Sequence, residues 1–189
     1  MISNDHNKQV MHGNDNIQQN GDNNRVANYY GYNSGELTES EIYELLEIFV
    51  TSNIPGNVDF SNISPAKFRE KLLYNNVSKY KFIFDEYFEE QSTISNISED
   101  FPDSEPIMRK LRTLFYNEAE FRNHELVVGN GDKQLDAIYK KIFESITHDP
   151  RFNDSNIKEL KIEAFVYGLM SYGILKCKIL KNPNEESDD

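Results

Sequence analysis

Four acidic side chains near the middle of the chain have a spacing that could serve proton transfer or bind a metal ion. Asp85-Glu86 and Glu89-Glu90 lie three to four residues apart, so a helix would place them on one surface. Such carboxylates become a metal or acid–base site when other ligands join them, and no histidine lies near them in the sequence. The pattern favours the solvent-facing side of a helix.

The cysteine, the histidines and the glycine-rich turn offer no stronger chemistry. Cys177 lies between two lysines, which would lower the pKa of an exposed thiol, but its place on an apolar face favours burial. Gly129-Asn130-Gly131-Asp132 has two glycines, like a phosphate loop, yet an acid stands where phosphate would bind, so it indicates a turn and a helix cap. His124 and His148 lie near helix ends, where structural roles are common. We predict no catalytic residue, no cofactor and no metal.

Charge and composition limit the partners. The 189 residues include 32 acidic and 20 basic side chains, a formal charge of −12 that repels nucleic acid. A single cysteine fits a reducing cytoplasm. The sequence contains neither an apolar stretch of the roughly 18 residues that a membrane span needs nor a signal-peptide pattern. We therefore expect a cytoplasmic protein without nucleic-acid, membrane or small-molecule partners.

Residues 1–33 differ in kind from the rest of the chain. They hold nine asparagines, three glutamines and three glycines, and they are too poor in apolar side chains to offset the entropy of folding. Residues 12–19 and 20–27 form an imperfect repeat of eight, whose turns and asparagine ladders could stack. A flexible tether, a self-associating segment with Val10, Ile17 and Val26 as apolar contacts, and a calcium-type turn at residues 13–17 all remain open.

From Ser34 onward the apolar periodicity is helical. It predicts a mainly α fold, a bundle of about six helices near residues 38–52, 64–74, 78–91, 104–122, 132–148 and 155–172. The first begins with the capping box Thr38 to Glu41, and the last is apolar on nearly all sides, as a central helix would be. Residues 92–103 are rich in Ser, Asn and Asp and predict a connection between helices. The third helix is expected to bury one aromatic stripe, formed by Tyr80, Ile83, Phe84, Tyr87 and Phe88.

The C-terminal part alternates with a period of two. Leu175-Lys176-Cys177-Lys178-Ile179 predicts one short β-strand at about residues 174–180, which must pair with residues near 58–60 or with another protein. We therefore predict interaction residues in this strand and in the flexible Asn/Gly-rich N-terminal arm. The expected organisation is an arm at 1–33, a helical domain at 34–181 and an acidic disordered tail at 182–189. The predicted interaction residues are Val10, Ile17, Val26, Lys176, Cys177 and Ile179.

Several short motifs in the arm and the last third of the chain carry a family resemblance. They are Gly21-Asp22-Asn23-Asn24, Asp100-Phe101-Pro102 before a helix with Leu111 and Tyr116, Asp136-Ala137-Ile138, and Ile162-Glu163-Ala164-Phe165-Val166-Tyr167 leading to Cys177. Because of these motifs, the chain resembles the helical C-terminal docking domain of bacterial ABC-three-component conflict systems, which include Lamassu-type anti-phage defence. The resemblance covers residues 98–181 and the arm. That family implies a domain that tethers an effector to a middle component and an SMC-like ATPase. The effector that usually precedes this domain has no counterpart before residue 34.

These features together predict a non-enzymatic adapter of a bacterial anti-phage defence assembly. Its partners would be other protein subunits, with an SMC-like ATPase and an effector among them, and the arm would support homo-oligomers. The alternative is an acidic inhibitor, such as a counter-defence protein or antitoxin, that occupies a basic groove of a nuclease through residues 85–90 and 185–189. Binding that is lost steeply with added salt would favour the inhibitor.

Overall fold

Helices account for most of the chain that the computed structural model describes, which is residues 37–56, 66–102, 104–153, 157–176 and 178–186. The mainly α prediction is confirmed: the described residues, all within a unit from Asn33 to Asp189, form eight α-helices. A two-stranded antiparallel sheet, β1 (Glu120–Arg122) and β2 (Glu125–Val127), joins the fifth and sixth helices. The helices are α1 (Glu39–Thr51), α2 (Phe68–Tyr74), α3 (Lys79–Glu86), α4 (Phe88–Asp100), α5 (Ser104–Glu118), α6 (Gly131–Thr147), α7 (Pro150–Asn153) and α8 (Glu159–Leu175).

Helix α8 lies at the centre, as its apolar character predicts. Eleven of its 17 residues are buried, on every side of the helix, and its main neighbours are α4 and α6. Gly168 permits the close approach of α4, because a Cβ atom there would lie 2.8 Å from Ile94 Cδ1 and 3.1 Å from the carbonyl carbon of Glu90. None of the described helices is long and apolar enough to cross a bilayer.

Helix α4 replaces the connection expected at residues 92–103. Its Ser and Thr side chains favour turns, but Thr93 Oγ1 donates within the helix to Glu89 O, at 3.0 Å. Ile94 is fully buried and Ser98 is 1% exposed, so one face of α4 packs against α8. Tertiary packing therefore overrides weak helix propensity, and the connection predicted for residues 92–103 is wrong over residues 92–100.

The predicted C-terminal strand is also wrong for the residues that are described. Helix α8 does not end at Gly173 but continues to Leu175. The glycine is needed there for packing, because Leu111 and Ile179 occupy the space that a side chain at residue 173 would take. The chain then folds back on the helix end: the amides of Lys178 and Ile179 donate to Gly173 O at 2.8 and 3.2 Å. Residues 58–60, the suggested pairing partner, lie outside the described residues.

The strands occur instead where a helix is expected to continue to residue 122. Asn123 and His124 both have positive φ, 51° and 71°, between Arg122 and Glu125, which pair across the hairpin. Two successive left-handed residues are the geometry of a tight two-residue β-turn, and asparagine tolerates it well. The helix therefore ends at Glu118 and the chain reverses.

Asn75, at the carboxyl end of α2, joins three parts of the fold. Its side-chain amide donates to Lys71 O and Lys181 O, each at 2.8 Å, and its Oδ1 accepts from the Lys181 amide at 2.9 Å. Its backbone carbonyl accepts from the Gly131 amide at 2.9 Å, which ties the start of α6 to the same point. Asn75 is 2% exposed. One buried residue, through its side-chain amide and its backbone carbonyl, thus holds α2, α6 and the C-terminal segment together.

Helix α3 is held at its amino end by a residue of α6. The Asp132 carboxylate accepts from the amides of Ser78, at 3.0 Å, and Lys79, at 3.1 Å. The sequence predicts that Asp132 caps α6 itself, but Asn130 does so by accepting from the Lys133 amide at 3.0 Å. A carboxylate at a helix amino end is favoured by the partial positive charge there, so Asp132 fixes the position of α3.

A buried lysine completes the carboxyl end of α1. Lys110 Nζ donates to the carbonyl oxygens of Phe49, at 3.0 Å, and Ser52, at 2.7 Å. Its side chain comes from α5 and is removed from water, and this burial lowers the pKa of Lys110 to about 8. The hydrogen bonds satisfy carbonyls that a helix end otherwise leaves without donors.

Replacing Lys110 by Met should lower the free energy of unfolding by about 1 to 3 kcal/mol at about pH 9.5, because buried carbonyls lose their donor. The loss should be smaller at about pH 7. The pKa of Lys110 is about 8 in the folded protein, below the ordinary value of 10.5, so between these pH values the unfolded chain binds more protons than the folded chain. The contribution of Lys110 to the free energy of unfolding therefore grows as the pH rises through this range. Urea unfolding at both pH values measures this. Exposed Lys81→Met is the control, and an equal loss at both pH values would contradict the prediction.

Candidate functional site

An apolar groove opens on the surface between α2, α3, α4 and the end of α8. It has a volume of about 440 Å³. We call it the Phe88 groove, because Phe88 is the most exposed apolar side chain at its edge, with 63% of its surface accessible. The lining residues are Phe68, Arg69, Phe84, Asp85, Phe88, Gln91, Ser92, Ser171 and Leu175.

The floor of the groove is rigid and aromatic. Phe84 is 2% exposed and packs edge-to-face on Phe68, with ring centroids 5.9 Å apart and an interplanar angle of 70°. On its other side lies Tyr80, at 5.4 Å. Such contacts fix ring orientations more tightly than aliphatic packing does. The floor is therefore part of the core.

The edge of the groove is apolar but open to solvent. Phe88 belongs to the stripe expected to face the core, yet α3 ends at Glu86 and α4 begins at Phe88. Tyr87 between them has φ −99° and ψ 31°, outside the helical region, so the helix direction changes there. The change leaves Tyr87 half-buried and carries Phe88 outward. This break, which the spacing alone does not reveal, creates the exposed edge.

A buried lysine fixes the two walls relative to each other. Lys71 of α2 is fully buried, and its Nζ donates to Ile174 O at 2.8 Å, next to Leu175 at the end of α8. The Lys71 amino group supplies a hydrogen-bond donor at the carboxyl end of α8, where backbone carbonyls otherwise lack one. Helix α2, which carries Phe68, is thereby held against the helix that carries Leu175.

Charges around the Phe88 groove are mainly acidic. Arg69 and Asp85 form an ion pair across its edge, with Nη2 and Oδ1 3.7 Å apart, and both side chains are largely exposed. Such a pair contributes little to stability. Glu86 and Glu89, beside the groove, are exposed as well. The local field is therefore negative apart from Arg69.

The structure separates the predicted interaction residues. Ile179 is fully buried against Gly173, so it belongs to the core and is not accessible to a partner. Lys176 is exposed, lies 3.8 Å from Glu99, and lines a different cleft of about 390 Å³. Cys177 and the arm residues Val10, Ile17 and Val26 lie outside the described residues. Of the two that are described, neither Lys176 nor Ile179 lines the Phe88 groove, although Leu175, next to Lys176, does.

Another cleft, of about 500 Å³ between the ends of α1 and α6, has no assembled nucleophile and base among its described residues. His148 Nδ1 lies 2.8 Å from Glu144 O, and Ser145 Oγ donates to Ile142 O at 2.7 Å, so each is engaged with its own helix. Within the described ranges no group of three His, Cys, Asp or Glu side chains could hold a metal ion. The cleft therefore shows polar side chains in structural roles.

Comparisons with protein-family models, with characterised proteins and with solved structures find no match for this chain. The function therefore has to be inferred from its own residues.

The sequence contains one signal of the Phe88 groove. Phe82, Phe84, Tyr87 and Phe88 fall within seven positions, which is more aromatic surface than one face of a short helix can bury. Two of the four, Phe82 and Phe88, are indeed exposed, by 73% and 63%. Which of them would edge a groove depends on the break at Tyr87.

Proposed function

We propose that this protein is a docking module that acts through protein contacts and not through catalysis, with the Phe88 groove as its binding site. The observation that carries the proposal is the exposure of Phe88, 63%, at the edge of a preformed aromatic groove. Large apolar side chains grouped on a surface are typical of protein interfaces. Aromatic side chains that a partner fully buries also dominate binding energies.

Burial of the groove's edge would supply useful binding energy. Covering a side chain of the size of Phe or Leu is worth about 1.5 to 3 kcal/mol. Phe88 and Leu175 are 63% and 38% exposed, so covering what remains of both is worth about 1.5 to 3 kcal/mol to a partner that fills the space between them. The aromatic floor does not have to reorganise, because Phe84 is already fixed by Tyr80 and Phe68.

The shape and charge of the site define the partner's chemistry. Helices wall the groove, and an amphipathic segment with two or three apolar anchors matches such a surface. Exposed Glu86 and Glu89 beside it favour lysine or arginine next to those anchors. The occupant that we propose is an amphipathic, basic segment of another protein.

We further propose that this partner is another subunit of a bacterial defence assembly, in the cytoplasm. The resemblance over residues 98–181 supports this, and so does the single cysteine. Of the groove residues, only Ser171 and Leu175 fall in the resembling region. The remainder of the site would be particular to this chain.

Photo-crosslinking in cells tests the proposal and identifies the partner in the same step. We would place p-benzoylphenylalanine at position 88 of the full chain and, as a matched control, at position 82, which is somewhat more exposed but does not line the groove. We expect position 88 to crosslink to one protein, within a segment that carries apolar residues and Lys or Arg. Position 82 should not.

Two outcomes would contradict the docking function. One is the same set of weak crosslinks from positions 82 and 88, which would mean nonspecific contact. The other is the absence of any crosslink from position 88. Crosslinks into the active-site groove of a nuclease, with binding that disappears at high salt, would support the acidic inhibitor instead.

A further inference from the structure

A stack of aromatic rings lies on the other side of the break at Tyr87. The Tyr87 and Tyr167 centroids are 5.0 Å apart, those of Tyr167 and Tyr139 4.8 Å, and those of Tyr139 and Phe143 5.7 Å. Their planes differ by 33°, 25° and 19°. All four side chains are partly exposed. Three elements, the α3–α4 junction, α8 and α6, thus present one aromatic surface, which we call the tyrosine stack.

Glu163 places negative charge beside this stack. It lies one turn before Tyr167 in α8, is half-buried, and makes no ion pair with another described residue. Burial raises the pKa of Tyr87, Tyr139 and Tyr167, and the charge of Glu163 raises the pKa of each of them further. The carboxylate therefore acts on all three hydroxyl groups.

The other charges near the stack reinforce this negative field. Glu86 and Glu90 also raise the pKa of Tyr87, after burial, and Asp136 raises that of Tyr167. Lys79 is the cation that acts on Tyr167, and it is already bound to Asp136. The surface thus combines aromatic rings with more carboxylates than cations, so a cation from outside the chain would be favoured there.

We propose that the tyrosine stack binds an arginine side chain of a protein partner, with Glu163 as its counter-ion. A guanidinium is planar, so it packs on the outer face of Tyr87, the tyrosine at the end of the stack, while its N–H groups donate to a carboxylate and to hydroxyl oxygens. An ammonium group is more strongly hydrated and has no plane to stack. Arginine is therefore the cation that this surface selects.

The inference rests on the proposed function in one respect: the arginine is assumed to belong to a protein partner. The two sites share no lining residue: Phe88 edges the groove, while Tyr87 contacts the stack. A peptide without apolar side chains can therefore test the stack while leaving the groove empty.

The test is an NMR titration of the full chain, carrying ¹³C-labelled tyrosine rings, with the blocked peptide acetyl-Arg-Gly-Arg-amide. We expect saturable shifts of the Tyr87, Tyr139 and Tyr167 signals. Glu163→Gln should raise the dissociation constant at least about fivefold, because the counter-ion is lost. Glu159→Gln, an exposed acid earlier in α8, should leave the constant within about twofold.

Three further arms make the result decisive. The matching lysine peptide should bind at least about threefold more weakly than the arginine peptide, and equal binding would overturn arginine selectivity. Phe88→Ser should bind the arginine peptide like the unchanged protein, so failure of the groove and failure of the stack are distinguishable. Equal constants for Glu163→Gln and Glu159→Gln, or shifts spread over the other tyrosines, would overturn the inference.

Discussion

Gly131→Ala should lower the free energy of unfolding by about 3 kcal/mol or more. A Cβ atom at residue 131 would lie 2.3 Å from Asn75 O and 2.4 Å from Val77 Cγ2, and the first of these is backbone that cannot turn aside. The clash would also displace the Gly131 amide, which donates to the same oxygen. Overpacking that moves backbone has this cost or more. Urea unfolding followed by far-ultraviolet circular dichroism measures it.

The matched control is Gly56→Ala. A Cβ atom there would lie 3.4 Å from Arg109 Cβ, an ordinary contact, so the free energy of unfolding should change by no more than about 0.5 kcal/mol. If both alanine variants were equally stable, residues 75 and 131 would not be in contact. The junction between α2 and α6 described above would then be wrong.

Asn75→Ala should destabilise the protein by about 3 kcal/mol as well. The substitution removes three hydrogen bonds of a buried side chain and leaves the backbone groups of Lys71 and Lys181 without these partners. Each buried polar group that loses its partner costs about 1 to 3 kcal/mol, partly offset when water enters. Thermal and urea unfolding at neutral pH measure the loss.

Asn96→Ala tests whether any asparagine would have this effect. Asn96 lies on the exposed side of α4, so we expect a change within about 0.5 kcal/mol. A loss at Asn75 no larger than that at Asn96 would mean that the C-terminal segment does not depend on the Asn75 amide. Neither variant touches the Phe88 groove directly.

Helices with local signals could be predicted closely from the sequence. Helix α1, expected at 38–52, runs from Glu39 to Thr51, and its capping box forms, with the Glu41 amide 3.2 Å from Thr38 Oγ1. Helix α6, expected at 132–148, runs from Gly131 to Thr147. In α1 the cap and the apolar repeat agree, and in α6 the apolar repeat alone locates the helix, although Asn130 and not Asp132 caps it.

Elements that depend on distant contacts could not be predicted. Helix α4 is rich in Ser and Thr, and it is helical because Ile94 and Ser98 pack against α8. The alternation of apolar and polar residues around Cys177 is a misleading signal. Gly173 does not end the helix, because its role is to allow close packing with Ile179. Periodicity describes one element at a time, whereas these residues respond to a neighbour far away in the chain.

The Phe88 groove was beyond sequence reasoning for the same kind of reason. Its walls come from four helices, and its open edge exists because the helix breaks at Tyr87. The stripe that ends in Phe88 predicts a buried ring, yet Phe88 is exposed. The tyrosine stack likewise joins Tyr139 and Tyr167, which are 28 positions apart in the sequence. Exposed sites of this kind are properties of the assembled fold.

The affinity of the crosslinked partner for three forms of the full chain tests the docking function most directly. We would measure dissociation constants by isothermal titration calorimetry for the unchanged protein, Phe88→Ser and Phe82→Ser. Both variants alter an exposed ring, so neither should change the free energy of unfolding appreciably. We expect Phe88→Ser to raise the dissociation constant at least about tenfold and Phe82→Ser to leave it within about twofold. Equal affinities for the two variants would contradict the Phe88 groove as the binding site.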